Sequence, residues 1–259
     1  MNSNRLPSHA HRLYSVWFRH VLVYTRNLIS NGLHPFMEPL VFLAGVGLGL
    51  GKYIVSMDGL PYLEFLATGL LVTSAMYTSA FECTYGTFVR LEFDKVYDGM
   101  LAAPVTASDV ILGEILWAGT KGFFFSLVVL IMVTAFGVIP LSASIFSPLV
   151  GLTTGILFGA LSLLVTSFIK TMNHFSFYFT GVLSPMFFFS GVVFPVSSLP
   201  RVLQPIAWIL PLSHPVAVAR ALCTGRFHAG LWLNLAYIIV VTLVMGFFAI
   251  RRLRKRLIL

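Results

Sequence analysis

The sequence predicts an all-α polytopic membrane protein with six transmembrane helices. Hydrophobic residues make up 58% of the 259 residues, charged residues only 10%, and the mean hydropathy is +0.90. A soluble domain carries about 25% charged residues, so no globular core could hide this apolar surface and the surrounding solvent must be lipid. Three kinds of shorter helix complete the predicted fold: an N-terminal amphipathic helix, a helix in a cytoplasmic loop, and a pair of extracytoplasmic re-entrant helices.

The N-terminal segment, residues 1–32, is predicted to carry an amphipathic helix over 11–30. Three arginines recur every seven residues on one face, and apolar and aromatic residues recur on the other. A basic helix with an aromatic opposite face lies in the membrane interface rather than crossing it. The alternative is a soluble helix that covers a cytoplasmic partner. The residues that define this helix are Arg12, Trp17, Arg19 and Arg26.

Residues 33–259 are predicted to form a single membrane domain with six spans. Each span is an apolar run close to the ~20 residues that an α-helix needs to cross a bilayer. The predicted spans cover residues 35–55, 63–81, 111–136, 148–169, 175–194 and 231–250. In the first span, the glycine pairs 45/49 and 47/51 have the small-xxx-small spacing that favours close helix packing in lipid.

The segment 195–226 differs from the spans because five prolines divide it into short apolar pieces. Each piece is about ten residues long, which is too short to cross a bilayer. Irregular backbone at membrane depth is tolerated where protein buries it or where it lines a water-filled cavity. We therefore predict two re-entrant or interfacial helices, at 199–210 and 214–224.

The distribution of cations predicts the orientation. With both termini inside, twelve of the 17 Lys and Arg residues are cytoplasmic and four lie in outer loops. Cytoplasmic segments carry an excess of Lys and Arg, so the loop 84–110 is predicted to be cytoplasmic and the segment 195–226 extracytoplasmic. The first apolar run begins near residue 35 without a small-residue cleavage site, so we expect no signal peptide. The cations cluster at the two ends, as expected for contact with anionic lipid, and form no patch suited to nucleic acid.

The sequence shows no residue pattern typical of a catalytic or metal-binding site. The seven histidines are dispersed, and no Ser/His/Asp order suggests a nucleophile. Cys83 and Cys223 fall on opposite faces in this topology, which makes a disulfide between them unlikely. We therefore expect no enzyme site, no metal and no cofactor in this chain. Energy must come from another protein, or the chain is a passive pore.

Ionisable residues are almost absent from the predicted spans, where they would be costly and therefore functional. The third span is the exception, and its first turns are expected to lie in the headgroup layer with Glu114 and Trp117. Lys121 is expected to extend outward to the headgroups. A functional Glu114–Lys121 pair, two helical turns apart, is the alternative.

The stretch 84–113 is the longest polar interruption of the chain, with four of the nine acids inside it and Glu82 and Glu114 beside it. On a single helix, an apolar stripe from Val89 to Met100 would lie opposite Asp94 and Asp98. Apolar residues rimmed by charge are typical of a docking surface, and the alternative is a solvated loop helix on the lipid surface. The candidate docking residues are Phe88, Leu91, Glu92, Asp94, Lys95 and Asp98.

Two stretches resemble a known family. The run FECTYGTFVRLEFDKVYDGMLAAPVTASDVILGEILW, residues 81–117, resembles the signature region of type-2 ATP-binding-cassette exporter permeases, in particular those that export nodulation factors, which are lipo-chitooligosaccharides. The run LSPMFFFSGVVFPVSSLPRVLQPIAWILPLSHPV, residues 183–216, is similar to the same family's region at the end of the fifth span. The resemblance extends over essentially the whole chain.

The resemblance implies a half-transporter in the bacterial inner membrane. Two copies would form a homodimer, and two separate ATPase subunits would bind ATP and Mg and dock below. The N-terminal helix would be the interface helix, the segment 88–101 the coupling helix, and the proline-rich segment the outer re-entrant helices. The substrate path would lie between the copies, along spans one, two and five. Candidate path residues are Tyr77, Phe81, Tyr178, Phe187 and Phe188.

Four functions are candidates for this chain. The first is ATP-driven export of an amphiphilic glycolipid or lipo-oligosaccharide, and the second is multidrug or antibiotic efflux by the same architecture. The third, an intramembrane enzyme acting on lipid, requires a polar catalytic cluster that the sequence does not reveal. The fourth, a passive channel, would need no ATPase partner.

Overall fold

The computed structural model describes residues 7–26, 37, 39–54 and 56–258. The helices are α1 (His9–Arg26), α2 (Pro39–Gly51), α3 (Tyr62–Phe81, with π turns at Glu82–Gly86 and Val89–Phe93), α4 (Val96–Leu101), α5 (Ala107–Ala135), α6 (Ser147–Thr166, after a 3-10 turn at Ala143–Phe146), α7 (Phe175–Tyr178, Phe179–Leu183 and Ser184–Phe189), α8 (Leu203–Ile209), α9 (Ser213–Thr224) and α10 (Leu231–Ile258). A two-stranded antiparallel ribbon, β1 (Ser56–Met57) and β2 (Leu60–Pro61), precedes α3.

Three helices in the described part of the chain are long and apolar enough to cross a membrane by themselves, at Ala107–Ala135, Ala143–Thr166 and Leu231–Leu257. They correspond to the third, fourth and sixth predicted spans. The last helix continues to Ile258 and therefore carries the basic tail that the prediction left beyond it.

The other predicted spans differ in length. The second begins at Tyr62 and its helix continues through π turns to Phe93, well past the predicted end. The fifth ends at Phe189, where the chain turns at Gly191 with a positive φ of 82°. The N-terminal part of the predicted first span, and the last residues of the predicted amphipathic helix, 27–30, lie outside the described residues.

Helices α5 and α6 pack with their backbones in close approach. A methyl group on Gly122 would lie 2.5 Å from the Gly151 carbonyl oxygen, and one on Gly155 would lie 2.6 Å from the Ala118 carbonyl oxygen. The glycines of α2 are less closely packed within this chain. A methyl group on Gly47 would contact Leu63, whereas one on Gly45 or on Gly49 would meet nothing within 4 Å.

The proline-rich segment forms two short helices, α8 and α9, that meet at an angle of 83°. The imidazole of His214 clamps the bend, with Nδ1 2.8 Å from Asn234 Oδ1 and Nε2 2.9 Å from the Trp208 carbonyl oxygen. The ring of Tyr237 stacks on the imidazole at 3.7 Å, and its hydroxyl donates to the Ile209 carbonyl oxygen. The bend is therefore fixed against α10.

The predicted single helical stripe across the polar stretch is wrong. Lys95 adopts a left-handed conformation with φ of 51°, which ends the π turn Val89–Phe93 and begins α4 in a new direction. The next helix, α5, begins with a capping box in which Asp109 Oδ2 accepts from the Thr106 backbone amide and Thr106 Oγ1 accepts from the Asp109 amide. The polar stretch is thus not one helix: its first part continues α3 to Phe93, and α4 follows as a separate helix before α5.

Candidate functional site

A cluster of buried charged side chains joins the polar stretch to the main helices. Arg90 lies at its centre, with Nη1 2.7 Å from Glu82 Oε1 and Nη2 2.7 Å from Glu114 Oε2. Tyr97 donates its hydroxyl to Glu114 Oε1 at 2.6 Å, and Lys121 Nζ lies 2.8 Å from Glu82 Oε2. We call Glu82, Arg90, Tyr97, Glu114 and Lys121 the ionic cluster.

The charges of the ionic cluster stabilise one another. Burial by itself would raise the pKa of the Glu82 carboxyl, but Lys121 and Arg90 hold that pKa well below its usual range. Burial would lower the pKa of the Arg90 guanidinium, but Glu114, Tyr97 and Glu82 raise it well above its usual value. The Arg90 guanidinium and the carboxylates that it binds therefore favour each other's charged forms.

The ionic cluster corrects two expectations from the sequence. Lys121 does not extend outward but is 9% exposed and pairs with Glu82, and Glu114 is 1% exposed and pairs with Arg90 rather than with Lys121. The spacing of Glu114 and Lys121 on their own helix suggested a pair, but it ignored α3, which packs against that helix and supplies both partners. Ionisable groups are thus present and buried in the predicted third span.

Three ligand atoms in the described part of the chain lie close enough to hold a metal ion, from His20, Glu82 and Glu114, within 4.8 Å of one another. Arg90 and Lys121 already bind both carboxylates, and a divalent cation would have to compete with them. The donor set therefore favours an ion-pair cluster over a metal centre.

A cavity of about 820 Å³ adjoins the ionic cluster, between α1, α2, α3, α5 and α7. One end is charged, with Glu82, Arg90 and Lys121 in its lining, and hydroxyl side chains of α3 continue upward. The remaining wall is apolar and largely aromatic. The aromatic residues of the wall are Tyr24, Phe42, Tyr77, Phe81, Trp117, Phe179, Phe187 and Phe188. Such a shape matches an amphiphilic molecule with a polar end and an apolar end.

Four of the five candidate path residues line this cavity: Tyr77, Phe81, Phe187 and Phe188. Tyr178 is not in the lining. Its side chain is buried, and its hydroxyl lies 3.0 Å from Ser162 Oγ on α6. That tyrosine connects α7 to α6.

The candidate docking residues separate into a buried set and an exposed set. Phe88 and Leu91 are only 3% and 9% exposed and pack inside the chain. Asp94, Lys95 and Asp98 are exposed around the turn. Glu92 is half-buried and pairs with Arg256 at 2.8 Å. Phe93, which the candidate list omitted, is 65% exposed beside the turn. Phe93, Asp94, Lys95 and Asp98 are hereafter called the turn surface.

Helix α1 packs along α5 through specific contacts. Arg12 Nε lies 2.9 Å from Asp109 Oδ2, and the Trp17 indole donates to Thr120 Oγ1 at 2.9 Å. His20 inserts beside the ionic cluster, with Nε2 3.2 Å from Glu114 Oε1. Of the other predicted residues, Arg19 is half-buried and Arg26 exposed. The side chains of Tyr14, Phe18 and Leu22 are exposed, which suits a helix at a lipid surface.

The sequence reasoning missed the ionic cluster although its members were visible. Glu82 and Glu114 were noted as acids that flank the polar stretch, and Arg90 as its cation. Two acids beside apolar runs, with an arginine between them, were the available signal, because charges at such positions need partners. The pairing across α3, α4 and α5 required the tertiary structure.

A permease of the ATP-binding-cassette type is the class that these features define. The chain belongs to the ABC-2 type transporter family, which matches residues 11–224. Members of this family are transmembrane subunits rather than ATPases, and they normally work with an ATPase subunit. The family and the apolar helices together identify a membrane protein.

Individual relatives extend over nearly the whole chain. Nodulation protein J of Sinorhizobium fredii is 32% identical over 253 residues, covering 98% of this chain and 97% of the relative. Nodulation protein J of Rhizobium meliloti is 33% identical over 252 residues, covering 97% and 96%. The inner membrane transport permease YadH of Escherichia coli is 25% identical over 174 residues, covering 67% and 68%.

Proposed function

We propose that this chain is the permease subunit of an exporter that moves an amphiphilic glycolipid or lipo-oligosaccharide out across the bacterial inner membrane. Two copies form a homodimer in which each chain contributes six spans, with both termini in the cytoplasm. Two ATPase subunits bind ATP and Mg and supply the energy. The observation that carries this proposal is the ionic cluster, because it connects the polar stretch directly to the helices around the cavity.

The turn surface is the proposed docking site for the ATPase subunit. Phe93 offers an exposed apolar anchor whose burial would be favourable, and the charged residues Asp94, Lys95 and Asp98 lie beside it. Phe88 and Leu91 have a different role in this proposal: they anchor the segment inside the chain, so that a push on the turn surface moves the helix that carries them.

In this proposal, movement of the turn surface is transmitted to the cavity through Arg90 and Tyr97. Both residues flank the turn at Lys95, and both bind Glu114 on α5. Arg90 also binds Glu82, which lines the cavity together with Lys121. Charge-assisted hydrogen bonds of 2.6 to 2.8 Å are stiff, so displacement of the turn is expected to displace α3 and α5 and change the shape of the cavity.

The shape of the cavity and the resemblance to nodulation-factor exporters support the proposed substrate class. Aromatic rings offer flat faces to sugar rings or acyl chains, and hydroxyl and charged groups at one end offer hydrogen bonds to a polar headgroup. Two relatives that cover nearly the whole chain are named Nodulation protein J, and the resemblance to nodulation-factor exporters implies an oligosaccharide-bearing cargo. The second candidate is efflux of hydrophobic drugs, which the mainly apolar wall of the cavity favours.

Reconstituted vesicles test this proposal. The chain and its ATPase subunit are placed in proteoliposomes, and ATP-dependent movement of a lipo-oligosaccharide is compared with that of hydrophobic drugs. We expect transport of the lipo-oligosaccharide alone. Transport of the drugs alone would favour the second candidate, and movement of either cargo without ATP would exclude the proposed mechanism.

The docking site is tested by Phe93→Asp, with Tyr53→Asp as the matched control because Tyr53 is equally aromatic and 84% exposed. We expect Phe93→Asp to lower substrate-stimulated ATP hydrolysis at least about tenfold, as loss of a central anchor does, while the melting temperature stays that of the unmodified chain. An equal loss of ATP hydrolysis in both variants would rule out the turn surface as the docking site.

A further inference from the structure

We infer that Arg256, near the end of α10, is a positioning residue that holds the polar stretch in register with the membrane helices. The inference rests on the proposed function, since it concerns how the ATPase-docking turn is held. It gives a role to the C-terminal helix, α10, which carries no residue of the ionic cluster.

The contacts of Arg256 reach two parts of the chain outside α10. Its Nη1 donates to the carbonyl oxygens of Thr166 at 2.6 Å and Ile169 at 2.7 Å. Its Nη2 donates to Glu92 Oε1 at 2.8 Å, and the guanidinium carbon lies 5.8 Å from the centre of the Phe88 ring. One side chain thus ties α10 to the end of α6 and to the polar stretch.

The end of α6 explains why an arginine occupies this position. The last carbonyl oxygens of a helix have no partner inside the helix, and they carry the negative end of its dipole. Thr166 is the last residue of α6, and Ile169 lies in the turn that follows. A planar guanidinium with five N–H donors can bind two carbonyls and a carboxylate at once, whereas a lysine ammonium has three donors on a compact head.

The ion pair with Glu92 does not by itself hold the segment. The Glu92 side chain is 37% exposed and that of Arg256 is 22% exposed, and exposed pairs of this kind contribute little. The two carbonyl bonds change this because they fix the guanidinium before Glu92 binds it. Glu92 therefore meets a preorganised donor, and the polar stretch gains a defined position relative to α6.

Two attachments then hold the turn surface. Arg90 and Tyr97 attach it to the ionic cluster, and Glu92 attaches it to Arg256. Without the second attachment, movement of the turn would still reach α3 and α5 but would no longer be tied to α6 and α10. We expect such a chain to bind its ATPase partner and to hydrolyse ATP, but to transport less cargo for each ATP consumed.

The first experiment measures the attachment in the full chain in lipid nanodiscs, without any partner. Hydrogen–deuterium exchange over residues 88–101 is compared among the unmodified chain, Arg256→Gln, Arg256→Lys and Lys255→Gln. Lys255 is the matched control because it is exposed and adjacent and loses the same charge. We expect exchange to rise at least fivefold in Arg256→Gln, less in Arg256→Lys, and not at all in Lys255→Gln.

The second experiment measures cargo moved per ATP hydrolysed by the complex in proteoliposomes. We expect a three- to tenfold fall in Arg256→Gln and in Glu92→Gln, with the double variant no worse than either single one, because both changes break the same contact. Unchanged exchange in Arg256→Gln, or an equal effect of Lys255→Gln, would overturn the inference. Absence of ATP-dependent transport in the unmodified chain would instead overturn the proposed function, and the exchange experiment would still decide whether Arg256 holds the segment.

Discussion

Arg90 and its neighbours show how charge is retained inside an apolar molecule. A single buried ion costs several kcal/mol, and opposite charges offset this cost only when their geometry is good. In the ionic cluster each carboxylate binds the same guanidinium at 2.7 Å, and Lys121 and Tyr97 complete the arrangement. Removing one member leaves another buried charge without its partner, so each member is needed for the stability of the others.

Glu82→Gln tests this dependence. The substitution keeps the shape of the side chain but leaves Lys121 and one side of Arg90 without a counter-charge, so we expect a loss of about 3 kcal/mol in the free energy of unfolding. The measurement is unfolding in detergent micelles. Asp98→Asn, at an exposed carboxylate, is the control and is expected to change stability by less than about 0.5 kcal/mol. Equal stability of Glu82→Gln and the unmodified chain would contradict the structure of the cluster.

The pH dependence of the same comparison has a defined sign. The pKa of Glu82 is lowered in the folded state, so its stabilisation is complete above the unfolded pKa of about 4.3 and is lost as the pH falls towards the folded value. The stability difference between the unmodified chain and Glu82→Gln should therefore be the same at pH 6 and pH 8 and should shrink below about pH 4. Melting curves at these pH values provide the check. A stability difference that grows in acid would contradict a lowered pKa of Glu82 in the folded state.

At the scale of elements, the contact between α5 and α6 depends on glycines that allow the backbones to meet. In lipid there is little hydrophobic drive between helices, so close packing supplies much of the attraction. Gly122, Gly151 and Gly155 face backbone atoms of the opposite helix, and a backbone cannot move aside as a flexible side chain can. These two helices form the support on which α1 and the polar stretch rest.

Gly155→Ala is expected to disturb this support. Its methyl group would lie 2.6 Å from the Ala118 carbonyl oxygen, and overpacking of this kind costs about 1–3 kcal/mol. Gly45→Ala is the matched control, because a methyl group there meets nothing within 4 Å of the chain. Thermal unfolding in detergent should show a lower melting temperature for Gly155→Ala alone, and a fall in both variants would point to a general effect of alanine.

For the whole molecule, the proposed orientation places the turn surface and the proline-rich segment on opposite sides of the membrane. Asp98 and Ser197 are both exposed and can be replaced singly by cysteine, while native Cys83 and Cys223 are buried. We expect a membrane-impermeant maleimide to label Ser197→Cys in intact spheroplasts and Asp98→Cys only after the inner membrane is opened. Labelling of both from the same side would exclude the six-span orientation.

Features of the polar stretch differ in how far the sequence can predict them. The capping box of Thr106 and Asp109 is a local pattern, three residues apart, of the kind that a sequence alone can indicate. The break at Lys95 was missed because a left-handed lysine has no composition signal. Phe88 and Leu91 were assigned to the surface because periodicity alone does not say which neighbour covers an apolar side chain.

Composition and hydropathy by themselves determined that this chain is a helical membrane protein, because water cannot solvate so much apolar surface and lipid can. The motifs of the polar stretch were enough to indicate the permease family to which it belongs. Only the tertiary structure decided which charges meet. Glu82, Arg90, Glu114 and Arg256 lie on helices whose order along the chain says nothing about their separation in space. Electrostatic pairing acts over a few ångströms, so it becomes visible only when the packed helices bring those side chains together.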